Sequence, residues 1–177
     1  HPDWFYWIKA TEIGKYKVPY VDGLENTIPP NPKYMPQVYA SPDVQRHIAM
    51  FQKNPKEQNP KLWEEVLQED PANLITLVEQ KFNLKVAPAF SDHINDVQPP
   101  WTDVTFFRMV LDHPKETAKY LKDVNTPPYI LFDTIKANLF AGNQPNMELW
   151  DTLAGIIPFY QKNFGIDGAR IDMGHAL

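Results

Sequence analysis

The sequence predicts an α/β chain: a mostly helical, proline-rich run of short elements, closed by one long helix that feeds a single strand. Three observations predict it. Of 177 residues, 18 are proline and only 7 are glycine, which favours short elements joined by stiff extended connections. A capping residue followed by proline recurs at Ser41-Pro42, Asn59-Pro60 and Asp70-Pro71, each time ahead of an apolar stripe at helical spacing. The stretch "PNMELWDTLAGIIPFYQKNFG" carries the longest helical pattern, and Gly165 stands where such a helix would stop.

Taken in order, "HPDWFYWI", "KYKVPYVDG" and "TIPPNPKYMPQVY" read as extended segments and turns, with short strand pairing expected near Lys15–Val21 and Gln37–Tyr39. Three amphipathic helices follow. The first carries Val44, Ile48 and Phe51 on one face. The second carries Leu62, Trp63, Val66 and Leu67, and the third Leu74, Leu77, Val78 and Phe82. Prolines and polar residues then prevent long helices until about Trp101. "TDVTFFRMVL" suits either a strand or a helix, because short apolar runs are ambiguous by periodicity alone. "HPKETAKYLKD" reads as a short polar helix and "PPYILFDTIKANLF" as a more strongly apolar one. In the last helix, opened by Pro145, Leu149, Trp150, Leu153, Ile156, Ile157 and Tyr160 share a face. Pro158 should kink it, since its ring clashes with the carbonyl four residues earlier.

Composition narrows the function. With 43% apolar and 22% charged residues, the chain is expected to form one soluble, globular domain. A net charge of −5 argues against nucleic acid as a partner, since phosphate recognition wants a basic face. No apolar run approaches the roughly 20 residues that span a bilayer, so no membrane partner is expected. There is no basic-then-hydrophobic leader, and a cytoplasmic location is the expectation. The first residue is His1 rather than Met, which points to processing or trimming. Cysteine is absent, excluding disulfides, thiolate metal sites and a cysteine nucleophile without fixing the compartment. Aromatic residues make up 13%, with five Trp, eight Tyr and ten Phe; such rings either stack on sugar faces or fill an irregular core.

Several chemistries find no support. The five histidines, His1, His47, His93, His113 and His175, show no close metal-ligand spacing, and neither a metal nor a cofactor is expected. No phosphate-cradling glycine loop and no Gly-x-Ser-x-Gly elbow occurs. In "SDHIND", Asp92, Asn95 and Asp96 offer oxygens, but the alternating loop and terminal Glu of a calcium site are missing, so a hydrogen-bonded turn is expected instead. Trp101 and Tyr34 are candidates for sugar stacking or for core packing.

The closing residues "GIDGARIDMGHAL" carry the most chemistry. Side chains in a strand alternate faces, so Ala169, Ile171 and Met173 share one face, and Gly168, Arg170 and Asp172 the other. An apolar face under helices, opposed by Gly, Arg and Asp, suits an active-site strand of a parallel barrel. An ordinary Arg–Asp ion pair on an edge strand fits the spacing too.

"GARID", Gly168 to Asp172, resembles the motif that ends the fourth barrel strand in the α-amylase superfamily, glycoside hydrolase family 13. "HPDWF" resembles the segment after the third strand in several members. Together with "FSDHINDVQPPWTDVTF" and "YQKNFGIDGARIDMGHAL", it makes the chain similar to the bacterial maltosyltransferases of that family. The resemblance covers most of the chain, strongly at both ends and from Ala89 to Phe107, and is weaker around residues 20 to 70.

The resemblance implies a portion of a (β/α)8 TIM barrel. Residues 1–143 would form a domain-B-like insertion after the third strand, and residues 144–177 the third helix and fourth strand. Asp172 falls on the catalytic nucleophile, which forms a covalent glycosyl-enzyme intermediate. Arg170 falls on the arginine that keeps that carboxylate ionised and aimed, as a neighbouring guanidinium does by lowering a carboxyl pKa. His175, a substrate-binding position, stands where many amylases carry Lys, and Ala176 replaces a frequent His; both border the acceptor subsites. The implied function is transfer of maltosyl units between α-1,4-glucans, with α-glucan or maltooligosaccharide as substrate. The alternatives are an α-amylase-type hydrolase, or a non-catalytic carbohydrate-binding or amylase-like structural protein. The family's acid/base, after the fifth strand, and a further aspartate, after the seventh, are not in the sequence. The remainder of the barrel is therefore the expected partner, and this stretch alone is expected to be inactive.

Overall fold

A computed structural model of the chain describes residues 1–17, 19–25, 34–88, 95 and 146–171. Its described part is mostly helical around a two-stranded sheet. Strand β1 (Trp7–Lys9) pairs antiparallel with β2 (Leu84–Val86), with Trp7 opposite Val86, Ile8 opposite Lys85 and Lys9 opposite Leu84. Two bonds extend the ladder at either end, Ala10 N–H to Asn83 O and Ala87 N–H to Tyr6 O, both 2.8 Å. The other edge of β1 receives Gln52, whose N–H donates to Trp7 O at 2.8 Å.

The ribbon is buried on both faces because its side chains alternate. Trp7 points into a cluster with Trp63, Val66, Val78 and Leu84, supplied by α4 (Pro60–Glu69) and α5 (Leu74–Phe82). Tyr6 and Ile8 point the other way, to Tyr16 and Ala87, after the 3₁₀ turn Ala10–Lys15. Phe51 joins this cluster to a third, Val21, Val38 and Val44, built by α1 (Met35–Ala40) and α2 (Pro42–Ala49). The stripes read on the three amphipathic helices therefore face these clusters.

The cap-plus-proline pattern operates as its chemistry requires. Asn59 Oδ1 accepts from Leu62 N–H at 3.1 Å, and Asp70 Oδ1 from Ala72 N–H at 3.1 Å, satisfying donors that the first helical turn leaves orphaned. Asp70 opens a 3₁₀ turn, Pro71–Asn73, that runs into α5. A fourth case is Asn54-Pro55, whose Oδ1 caps the short α3 (Pro55–Gln58). Ser41 differs: its hydroxyl donates to Tyr20 O at 2.9 Å and makes no cap bond, so proline alone opens α2. α5 stops at Asn83, in the left-handed region at φ 54°, where its N–H closes on Glu79 O.

Two sequence expectations are corrected. Gln37–Tyr39 lies inside α1, not a strand, with Pro36 in the first turn, where its missing N–H costs nothing. The described residues of 15–21 form no strand; Lys15 ends a 3₁₀ turn, and Pro19 has no N–H to give a ladder. The segments "TDVTFFRMVL", "HPKETAKYLKD" and "PPYILFDTIKANLF" lie outside the described residues, as does Trp101.

The last helix, α6 (Met147–Phe164), begins later than Pro145, with Asn146 as its cap: Asn146 Oδ1 accepts from Leu149 N–H at 3.2 Å. It continues through Pro158 to Phe164. Gly165 ends it as expected, at φ 64° and ψ 33°, its N–H on Gln161 O at 3.0 Å. No described helix is long and apolar enough to cross a membrane.

Candidate functional site

The residues the sequence marks for chemistry lie just past α6. A left-handed Gly165 turns the chain without a Cβ penalty and releases it into residues 166–171. Among the described residues of "DGARIDM", 167–171, no strand is formed. The physical reason is pairing: a strand exists only against a neighbour, and the described sheet, β1 with β2, does not include this stretch. Arg170 and Ile171 are exposed, Ile171 at 60%. Arg170 has no ion-pair partner among the described residues. Asp172 and His175 lie outside the described residues, so the three predicted site residues are not brought together in what is described.

Among the described residues, the helix leading to this stretch is fastened at its N-terminal end. Asn146 uses both ends of its amide: Oδ1 caps α6, while Nδ2 donates to Asp3 O at 3.1 Å. Glu148 Oε1 pairs with His1 Nδ1 at 3.3 Å, and Leu149 is fully buried. Beyond this first turn the helix emerges. Ile156, Ile157, Tyr160 and Phe164 are 42–68% exposed, although they continue the face on which Leu149 is buried. At 100° per residue these positions, with Trp150 and Leu153, fall within a stripe about 120° wide, the width a helix needs to cover one packing layer.

Two recesses border the N-terminal segment. One, of about 180 Å³, lies among Pro2, Phe5, Trp7, Trp63, Val78 and Val86 and offers almost no polar group to orient a ligand. The other, of about 490 Å³, lies where the 3₁₀ turn Pro2–Trp4, α3 and the start of α6 converge, and most of the residues lining it are charged or polar. Sequence reasoning missed both, and with them Asn54, Asn146 and the His1–Glu148 pair. The signal for Asn54 was present in "KNPKEQ", the same cap-plus-proline pattern read elsewhere, but a one-turn helix has no apolar period to confirm it.

The remaining candidates resolve as structural. Asn95 is 2% exposed; its Oδ1 accepts from Val21 N–H at 2.7 Å and its Nδ2 donates to Val21 O at 2.9 Å. This two-way clasp is the hydrogen-bonded role expected of "SDHIND"; Asp92 and Asp96 lie outside the described residues. Tyr34 packs against the Val21 cluster, in the core-packing role. Among the described residues no group of three His, Cys, Asp or Glu side chains could hold a metal. The chain matches no model of a known protein family and, to a significant degree, no curated protein.

Proposed function

We propose that this stretch belongs to an α-amylase-type retaining enzyme that transfers maltosyl units between α-1,4-glucans. In this reading residues 1–143 are the insertion after the third barrel strand, and α6 with the residues after it are the third helix and fourth strand. The observation that carries the proposal is the uncovered apolar face of α6 leading directly into Gly168–Asp172. A barrel helix must bury such a stripe against the sheet, and the strand that follows it delivers its last residues to the active face. The bond from Asn146 to Asp3 also supports it, because an insertion has to leave and re-enter its host at neighbouring points.

In the proposed reaction the Asp172 carboxylate attacks the anomeric carbon as the glycosidic bond breaks. An acid/base carboxyl from elsewhere in the barrel protonates the departing oxygen. A sugar hydroxyl then attacks the same carbon, losing its proton to that carboxylate and releasing Asp172, so configuration is retained. Arg170 keeps Asp172 ionised at neutral pH and orients it, and His175 borders the acceptor. An acceptor site that excludes water favours transfer over hydrolysis.

Product analysis tests this. The enzyme containing this stretch, given one maltooligosaccharide, should yield longer and shorter chains spaced by two glucose units, with the number of reducing ends nearly constant. Steadily rising reducing ends, with nothing longer than the substrate, would identify a hydrolase instead.

A further inference from the structure

The apolar face of α6 is the broadest uncovered apolar surface on any described helix. Ile156, Ile157, Tyr160 and Phe164 are 42–68% exposed along it, and Phe159, 57% exposed, widens it. The Phe159 ring lies edge-on to Tyr160 and Phe164, with centroids 5.6 and 6.3 Å apart. The three rings, at roughly 200 Å² each, leave about 350 Å² open, and the two isoleucines raise this to about 500 Å². At 100° per residue, Glu148, Asp151 and Lys162, the charged residues of α6, fall on the opposite side of the helix. Thr152, Gln161 and Asn163 flank the stripe, so an apolar centre has an uncharged polar rim.

Such a face excludes several occupants. A charged partner finds nothing to pair with across it. An anionic membrane surface calls for basic residues on the polar side, and α6 has a single lysine there beside two carboxylates. The spacing itself points to a second copy. Leu153 and Tyr160 lie equally far from the midpoint between Ile156 and Ile157, and so do Leu149 and Phe164. A stripe with that symmetry matches itself when a second helix runs the other way, as a twofold interface requires. We infer that the 177-residue chain pairs with a second copy through α6, the two helices antiparallel. Ile156 and Ile157 then meet their own counterparts at the twofold axis, and Leu153 lies opposite Tyr160 of the other copy. The antiparallel arrangement sets opposed helix dipoles side by side. It also puts the two cores at opposite ends, because the core holds the first turn of α6. Two copies bury about 1,000 Å², the lower limit for a specific interface, so the pair is weak and dilute chains are monomers. The barrel reading gives this face to a sheet; the pairing does not rest on that reading and concerns the chain without that sheet.

Sedimentation velocity of the 177-residue chain, from micromolar to submillimolar concentration, tests this. The average mass should rise from 20.5 kDa toward twice that value and no further. Tyr160→Glu puts a charge at the centre of the face and should weaken pairing at least about tenfold, with the circular dichroism of the chain unchanged. Because the sequence has no cysteine, single cysteines report the geometry. Ile157→Cys lies beside its own counterpart at the axis and should oxidise to a covalent dimer. Phe164→Cys lies at opposite ends of the pair, beyond the reach of a disulfide, and should not. A mass that stays at 20.5 kDa throughout overturns the inference, including the case of a monomer that binds phosphatidylcholine vesicles instead. Growth beyond a dimer, or cross-linking at Phe164→Cys in place of Ile157→Cys, overturns it as well.

Discussion

α4 and α6 are both amphipathic helices opened by an asparagine cap, yet they end in opposite circumstances. On α4, Trp63 and Val66 are at most 6% exposed, closed in by α5 and the strand pair. On α6, only Leu149 at the first turn is comparably buried, and the same kind of stripe then stands in solvent. Periodicity specifies that a helix forms and which face is apolar. It says nothing about what covers that face. The difference between the two helices therefore reports that no described neighbour covers this face of α6, rather than a weaker helix.

This comparison predicts unequal responses to truncation. Trp63→Ala empties a site in the main cluster and should cost about 3–5 kcal/mol in denaturant unfolding of the chain. Phe164→Ala, 68% exposed on α6, should stay within about 0.5 kcal/mol. Equal losses would mean that α6 is already covered. Under the proposed barrel reading, the Phe164 variant should become destabilising once the rest of the barrel covers α6.

A smaller effect probes the fastening of α6. Asn146→Ala removes both the cap and the bond to Asp3 O, and should cost about 1 kcal/mol or more, whereas Asn146→Asp keeps the cap oxygen and should cost less. Hydrogen exchange of the α6 amides distinguishes the two. Identical protection in both variants would leave the Asp3 bond as the dominant tie.

The smallest effect is at Asp70. Its carboxyl titrates below the ordinary value, chiefly because the Asn73 side chain donates to it at 2.6 Å, with Ala72 and Asn73 N–H groups adding and desolvation opposing. A lowered folded-state pKa contributes stability that is present above the unfolded value and lost as pH falls through the folded one. Asn73→Ala should raise the midpoint of Asp70 in an NMR titration. An unchanged midpoint would break the attribution.

Much of the helical content was legible because it rests on local chemistry. Asn59, Asp70 and Gly165 act at their own positions, and the stripes through Val44, Trp63 and Val78 face the core as their spacing requires. The strand pair was not legible. Trp7 meets Val86 from far along the chain, and three-residue strands carry no period to betray the pairing. Val38 misled because one short apolar alternation fits a strand or a single helical turn equally well. The candidate site was legible only as a motif: "GARID" names residue types, while their geometry depends on a sheet that the described residues do not provide.

The central claim rests on Asp172, and trapping its covalent intermediate tests it most directly. The proposed enzyme, treated with a fluorinated maltosyl donor that slows breakdown of the intermediate, should carry one maltosyl adduct on the peptide holding Asp172. Asp172→Asn should carry none and lose roughly three orders of magnitude or more in turnover. An adduct on a different peptide, or an active Asp172→Asn enzyme, would contradict the account.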